Sequence, residues 1–518
     1  MTKPHYPSSP LPRRPSAPRG LRRTAQQAVR VFRPSDGTSV LQLHPDEVDP
    51  ILTRKALDLA MRVAEMMLSH GASANDVTLN ALRITKAFGL KAVHVDVTYT
   101  SISVSHYRGH DREPLTTLRV VRARSIDYTR LQRLQALVHR IEEEQDVDEA
   151  FEVFAAIVRA PHPYRRWVVT FGNAGVAAAV CVLLNASFLI TIVAFLASAA
   201  IDLLIGWLAR KQVPPFFMQV FAAAIPTVAA TALMAGAYQG ITWLEGVRPE
   251  LIVAGGIVMM LSGLSVVGAA QDAIDGYYVT AGARSFEVVI LTLGIVVGIL
   301  MTLQLAQRVG IPVVLSGAAP PLGSLAQQLG GSLLISAFFA ISTYAGPRTV
   351  VLCAGMGVLG WVGYLAGTLI GLGSISSSAV GAFVAAMVSV HLGRRLAVPS
   401  LALTTAALVP LMPGSMVYRG LLEIMVHAGS RTSFGEGTMT LLNAAGVGLA
   451  LAAGASLGTY LARPGRGNLR HASPRGDGSR ADKAVAAGSP EAEGATQRLE
   501  AATTGTLPVV QGDGIRPE

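Results

Sequence analysis

Apolar stretches about one bilayer long follow one another almost without interruption across residues 167–461. SFLITIVAFLASAAIDLLIGWL from Ser187 and FEVVILTLGIVVGILMTLQLA from Phe286 are examples. A helix needs roughly 20 apolar residues to cross about 30 Å of hydrocarbon. Such stretches begin near residues 167, 187, 216, 250, 286, 327, 348, 375, 398 and 438. They are too many in succession to be buried helices of a soluble core. The pattern predicts a polytopic α-helical membrane protein of about ten transmembrane helices.

Ahead of this body the period changes. Leu52, Ala56, Leu59, Val63 and Met66 recur at helical spacing from Ile51 to Ser69, and Gly71 is placed to end that helix. Ser73 followed by Asp76 signals a second helix start, which runs through Val77, Ile84 and Phe88 to Gly89. Val93, Val95, Val97 and Tyr99 alternate as in a strand; the apolar parity then shifts to Ile102 and Val104, predicting a bulge or break near Thr100. A further strand is expected over 115–121. From Tyr128 to Ile141 the helical period returns through Leu131, Leu134, Leu137 and Val138. Residues 46–165 therefore read as a small α+β domain, expected in the cytoplasm.

Composition sharpens this picture. Of 518 residues, 51% are hydrophobic and 15% charged, too apolar a balance for a soluble protein of this size. The net charge of +10 comes from Arg and Lys clustered before Trp167 and after Leu461. That is the pattern of basic flanks held on the cytoplasmic side of membrane spans rather than of nucleic-acid binding. Residues 1–45 are Pro/Arg-rich and carry no apolar h-region, so they are no signal peptide. Both they and residues 464–518 are expected to be disordered. Counted from a cytoplasmic start, Arg210, Lys211, Arg284, Arg348, Arg394 and Arg395 fall in inner connections. Arg248, Arg308, Arg419 and Arg431 fall outside; the balance favours both termini in the cytoplasm. Cys181 and Cys353 lie within apolar spans and form no metal or disulfide pattern.

The spans divide into halves, 167–308 and 327–461, and the halves match weakly. At an offset of 151, MMLSGLSVVGAAQDAI from Met259 aligns with PLMPGSMVYRGLLEI from Pro410. Gly263 then meets Gly414, Val266 meets Val417, and Asp272 meets Glu423. Five spans per half is an odd number, so the second copy must be inverted, a 5+5 arrangement used by transporters.

Candidate pathway residues follow from what is costly in lipid. Asp202 sits within the second span about two turns from Arg210, where an ionised carboxylate needs a partner or water. Asp272 and Glu423 lie at span ends in matched positions. Pro410 and Pro413, just before Gly414, interrupt the ninth span, and Pro226 interrupts the third; freed carbonyls in a membrane need partners. Substrate or ion pathway candidates are thus Asp202, Asp272, Glu423, Gly263, Pro413 and Gly414. Gly355, Gly357 and Gly360 spell GxGxxG, but without a preceding strand or a following acid; with Gly363, Gly367 and Gly371 they read as close helix packing. His94, His106, His110, His139, His162, His391 and His427 show no ligand spacing. No Walker loop or nucleophile elbow is present, so neither cofactor nor bound metal is expected.

LDLAMRVAEMMLSHGASANDVTLNALRITKAFGL, VHVDVTYTSISVSHYRG, HPYRRWVV and VPSLALTTAALVPLMPGSMVYRG resemble the threonine/serine exporter family, in particular its actinobacterial members. The likeness runs from about Leu57 to Leu461. It implies about ten spans, a cytoplasmic amino-terminal domain, and export of threonine and serine across the bacterial cytoplasmic membrane, driven by the proton gradient or membrane potential. Where the family keeps a proline-glycine turn in the first half, this chain has Ser262-Gly263. Two alternatives stand beside an exporter: a membrane-anchored hydrolase using His94, Asp96 and Ser101, or a regulatory membrane protein. Strand neighbours point to opposite faces, which disfavours a triad there.

Overall fold

The computed structural model describes residues 49–462 except 109–112, 122–124, 242–243, 245–247, 258–259, 261–262, 312–321 and 427–430. The two tails, His110, His427 and Ser262 lie outside the described residues. Those from 49 to 462 belong to one compact unit.

The amino-terminal module opens with α1 (Pro50–Ser69) and α2 (Ala74–Ala87). Gly71 at φ +93° and Gly89 at φ +82° take the left-handed turns that end them, where a β-carbon would be strained. Ser73 caps α2 by accepting from the Asp76 amide at 3.1 Å. β1 (Val93–Val97), β2 (Ser101–His106) and β3 (Leu115–Val120) form an antiparallel meander in chain order. The parity shift near Thr100 is a hairpin: Val97 faces Ile102, and the Thr98 amide donates to Ser101 O at 2.9 Å. Ile102 and Val104 are buried with α1 residues such as Leu59 and Met61. Next come α3 (Tyr128–Glu144) and α4 (Val147–Arg159), each capped by an aspartate, Asp127 and Asp146. α4 is not among the elements expected from the sequence, although Val147, Ala150, Phe154 and Ile157 bury one face of it.

The body consists of α5 (Arg166–Leu183), α6 (Phe188–Arg210), α7 (Pro215–Tyr238), α8 (Glu250–Ile257), α9 (Gly263–Ile274) and α10 (Tyr278–Arg308). Then follow α11 (Leu325–Ser342), α12 (Pro347–Leu369), α13 (Ser374–Leu396), α14 (Ser400–Leu408), α15 (Gly414–Val426) and α16 (Arg431–Ala462). Eight of these helices are long and apolar enough to cross a membrane: α5, α6, α7, α10, α11, α12, α13 and most of α16. The remaining two expected spans are not single helices. α8 and α9 share one, with Met260 in a turn that donates to Ile257 O at 3.0 Å. α14 and α15 share the other, through a 3-10 turn over Val409–Leu411 that holds Pro410. The chain is a polytopic helical membrane protein whose fourth element in each half is interrupted.

The two sets of five run in opposite senses. Arg166, Phe188 and Pro215 start helices, and so do Leu325, Pro347 and Ser374, each 159 residues further; Gly263 and Gly414 start α9 and α15, 151 residues apart. Across the joint between halves, Gly172 of α5 lies against Ser342 of α11 while Leu183 lies against Gly331, so these counterparts are antiparallel. The two acids at matched positions make matched ties. Asp272 of α9, 1% exposed, pairs with Arg284 of α10 at 3.1 Å. Glu423 of α15 accepts from Thr440 of α16 at 3.2 Å. Arg284, expected in a connection, therefore lies inside a helix, and so does Arg419.

Small residues set the helix spacing. β-carbons built on Gly363 and Gly367 of α12 would come within 2.9 Å of Gly381 Cα and 2.8 Å of Ser377 Cα on α13. The apparent nucleotide motif is packed likewise: a β-carbon on Gly360 would come within 2.9 Å of the Ala407 carbonyl oxygen.

Candidate functional site

A cavity of about 470 Å3 lies between the two halves, within the usual range for small-molecule sites. α5 contributes Arg166, Val169, Asn173, Val180 and Leu183 along one wall. α11, packed against α5, contributes Ile335, Phe339 and Ser342, followed by Thr343 and Tyr344. Both interrupted elements reach it: Ala254 and Ser265 from α8 and α9, and Val409, Pro410, Met412, Gly414 and Ser415 around the α14–α15 break. The wall is thus mostly apolar, with hydroxyls from Ser265, Ser342, Thr343 and Ser415 spaced along it.

At one end the amino-terminal module closes over the cavity. Ser125 and Ile126, just ahead of α3, are lining residues. The Tyr128 amide donates to Thr343 O at 3.1 Å, and Thr129 Oγ1 donates to Tyr344 O at 2.5 Å. The buried Tyr128 hydroxyl meets Thr405 Oγ1 of α14 at 2.6 Å. Asp127, fully buried, accepts from the Arg130 amide at 2.9 Å and faces His162 Nδ1 at 2.8 Å; the His162 ring stacks on Tyr344 at 4.5 Å. His70 Nδ1–H donates to Ser125 O at 2.8 Å. Burial holds the His70 imidazole below its ordinary pKa, against the opposing pull of that carbonyl and of Asp127.

Asp202 stands behind the α5 wall. Its oxygens accept from Thr170 Oγ1 at 2.6 Å and from Asn173 Nδ2 at 2.9 Å. Its partners are therefore neutral donors on α5 rather than Arg210. Arg166, on the same α5 face, lays its guanidinium against Gly206, one turn beyond Asp202 on α6; a β-carbon there would lie 2.7 Å from Nη2. Among the six candidates, Gly414 lines the cavity and Asp202 touches a lining residue, whereas Asp272, Glu423 and Pro413 are not lining residues; Gly263 starts α9, two residues before the lining residue Ser265. Arg166, Asn173 and Ser415 were missed as site residues. The cue was present for the first two: Arg166, Thr170 and Asn173 repeat at helical spacing in an otherwise apolar segment.

In the module, His94 and Asp96 sit on β1, paired with Ser105 and Ser103, while the Ser101 hydroxyl at the hairpin is hydrogen-bonded to Thr98 Oγ1 at 2.7 Å. Among the described residues, no three His, Cys, Asp or Glu side chains cluster as metal ligands.

Two family models described as threonine/serine exporters match residues 58–306 and 328–461. The chain is 38% identical over 438 residues to the "Probable threonine/serine exporter" of Mycobacterium tuberculosis (strain ATCC 25618 / H37Rv), covering 80% of this chain and 78% of that one. This chain belongs to the threonine/serine exporter family. It is also 30% identical over 411 residues to the "Threonine/serine exporter" of Corynebacterium glutamicum, covering 79% of this chain and 82% of that one. No solved structure matches. The boundary between the two family models falls between α10 and α11, where the inverted halves meet. The family is one of transporters.

Proposed function

We propose that this protein exports threonine and serine across the bacterial cytoplasmic membrane, the amino acid passing through the cavity between the two halves. The observation that carries this is the cavity's border: both interrupted elements open onto it, through Ala254 and Ser265 on one side and Val409 to Ser415 on the other. Inverted repeats that rock about a site flanked by broken helices give alternating access. The apolar wall with spaced hydroxyls suits a small hydroxylated side chain.

In this account Gly414 and Pro413 shape the break at the site, and Gly263 starts the corresponding segment in the other half. Asp202 handles a proton or the substrate ammonium, since its two hydrogen bonds come from neutral donors and do not cancel its charge. Asp272 and Glu423 act one step back, tethering α9 to α10 and α15 to α16 so that each broken pair moves together. The module and both chain ends face the cytoplasm, and the proton gradient or membrane potential drives efflux. The test is efflux of labelled threonine from liposomes containing the purified full chain. Saturable efflux, faster under an imposed gradient and competed by serine, is the expected result; inserted protein that moves neither amino acid refutes the proposal.

A further inference from the structure

An amino acid presents a carboxylate and an ammonium whatever its side chain, and a cavity that selects it must answer both. Among the described residues, Arg166 is the one charged residue lining the cavity. Among the described residues its guanidinium has no hydrogen bond and no carboxylate within 4.0 Å. It rests on Gly206 instead, in a berth that a β-carbon would fill. Asn173, two turns along α5, also lines the cavity and commits its amide nitrogen to Asp202, so its carbonyl oxygen is the atom left to accept. A residue carrying a cation, its guanidinium resting in the α5–α6 groove, and a carboxylate-backed acceptor thus stand on the same helix wall of one cavity.

We propose that Arg166 is the carboxylate subsite of the transport cavity and that Asn173, backed by Asp202, receives the ammonium. The proposal rests on the cavity being the path of threonine and serine. Guanidinium matches a carboxylate with two parallel N–H donors, which lysine cannot reproduce. Gly206 is the positioning residue, because it admits the guanidinium to the α5–α6 groove.

The experiment uses the full chain in liposomes, with threonine and threoninamide, which lacks the carboxylate, as competing probes. Wild type should prefer threonine by about tenfold or more, the scale of a lost charge-assisted contact. R166Q should raise the threonine KM by about tenfold and abolish the preference. R166K should recover part of it. G206A, which displaces only the far end of a flexible side chain, should shift KM and preference in the same direction while leaving insertion unchanged. An R166Q protein that keeps the wild-type preference overturns the subsite, whether or not its accumulation falls, and leaves Arg166 as a membrane-anchoring residue. Wild type that moves no threonine overturns the transport assignment itself, and the subsite with it.

Discussion

Asp202 accepts one hydrogen bond on each oxygen, from Thr170 and Asn173, and both donors sit on the neighbouring helix. Asp202→Asn keeps the volume but removes the charge; its Oδ1 can still accept from Asn173, and its N–H can donate to Thr170 Oγ1, whose own hydrogen has the Arg166 carbonyl at 3.3 Å to turn to. We expect the variant to insert and accumulate while efflux falls by about tenfold or more, as a lost proton-handling group requires. Undiminished efflux would make Asp202 structural. His70 gives a second prediction at this scale. Burial lowers its pKa in the folded protein, so the neutral form is favoured on folding. Its contribution is present above the ordinary value of about 6.5 and is lost as pH falls through that value toward the folded one. The melting temperature of wild type should therefore drop between pH 7.5 and 5.5 by more than that of His70→Gln; equal drops would show that His70 is not what titrates. The acid was legible in the sequence because a carboxylate in lipid stands out. Its partners were not, because threonine and asparagine are common in helices and reveal their role only when α5 and α6 are brought side by side.

At the scale of elements, the interrupted helices are where sequence and structure part most clearly. Pro410 and Pro413 announce the second break, because proline removes a donor and fixes φ. The first half has no proline at the matched place, so residues 250–274 read as one span; the structure ends α8 at Ile257 and starts α9 at Gly263. The spans beginning near 286 and 438 start earlier than the apolar run suggests, at Tyr278 and Arg431, because polar and charged residues such as Arg284 and Glu436 are carried on helix rather than on loops. Gly414 lines the cavity at the start of α15. A branched side chain there would fill the path as well as stiffen the break, so Gly414→Val should abolish transport. Gly263 starts α9 after Ser262, where the second half has the stiffening Pro413, and Gly263→Val should impair transport less. Efflux measured at matched protein levels checks the order, and the reverse order would show that the first-half break is the working one.

For the whole molecule, the direction of every element follows from the helix order. α5 leaves the face that carries the amino-terminal module, and α16 returns to it: Gly446, Gly454 and Gly458 of α16 lie against Ile375, Ala379 and Phe383 of α13, so these two run parallel, and α13 ends at Ala397, whose carbonyl accepts from Gln132 of the module. Reporter fusions after Gln212 and after Arg466 should accordingly both report the cytoplasm; opposite sides would break the even count of crossings and the inverted repeat together. The bilayer-length runs made the membrane body legible, and a few matched residues hinted at its repeat. The cavity was not legible, since it is formed by residues from Ser125 to Ser415 that no local pattern joins.

An amino acid that occupies this cavity between the halves should shield its walls from a thiol reagent. In a chain with Cys181→Ser and Cys353→Ser, which keep a donor for the Leu251 and Ala402 carbonyls, single cysteines are placed at Ser265 and Ser415, one on each broken element. Saturating threonine should slow thiol labelling at both positions, while an equal concentration of glutamate should not. Unchanged labelling at both sites, in protein that transports threonine, would contradict the account and put the binding site elsewhere.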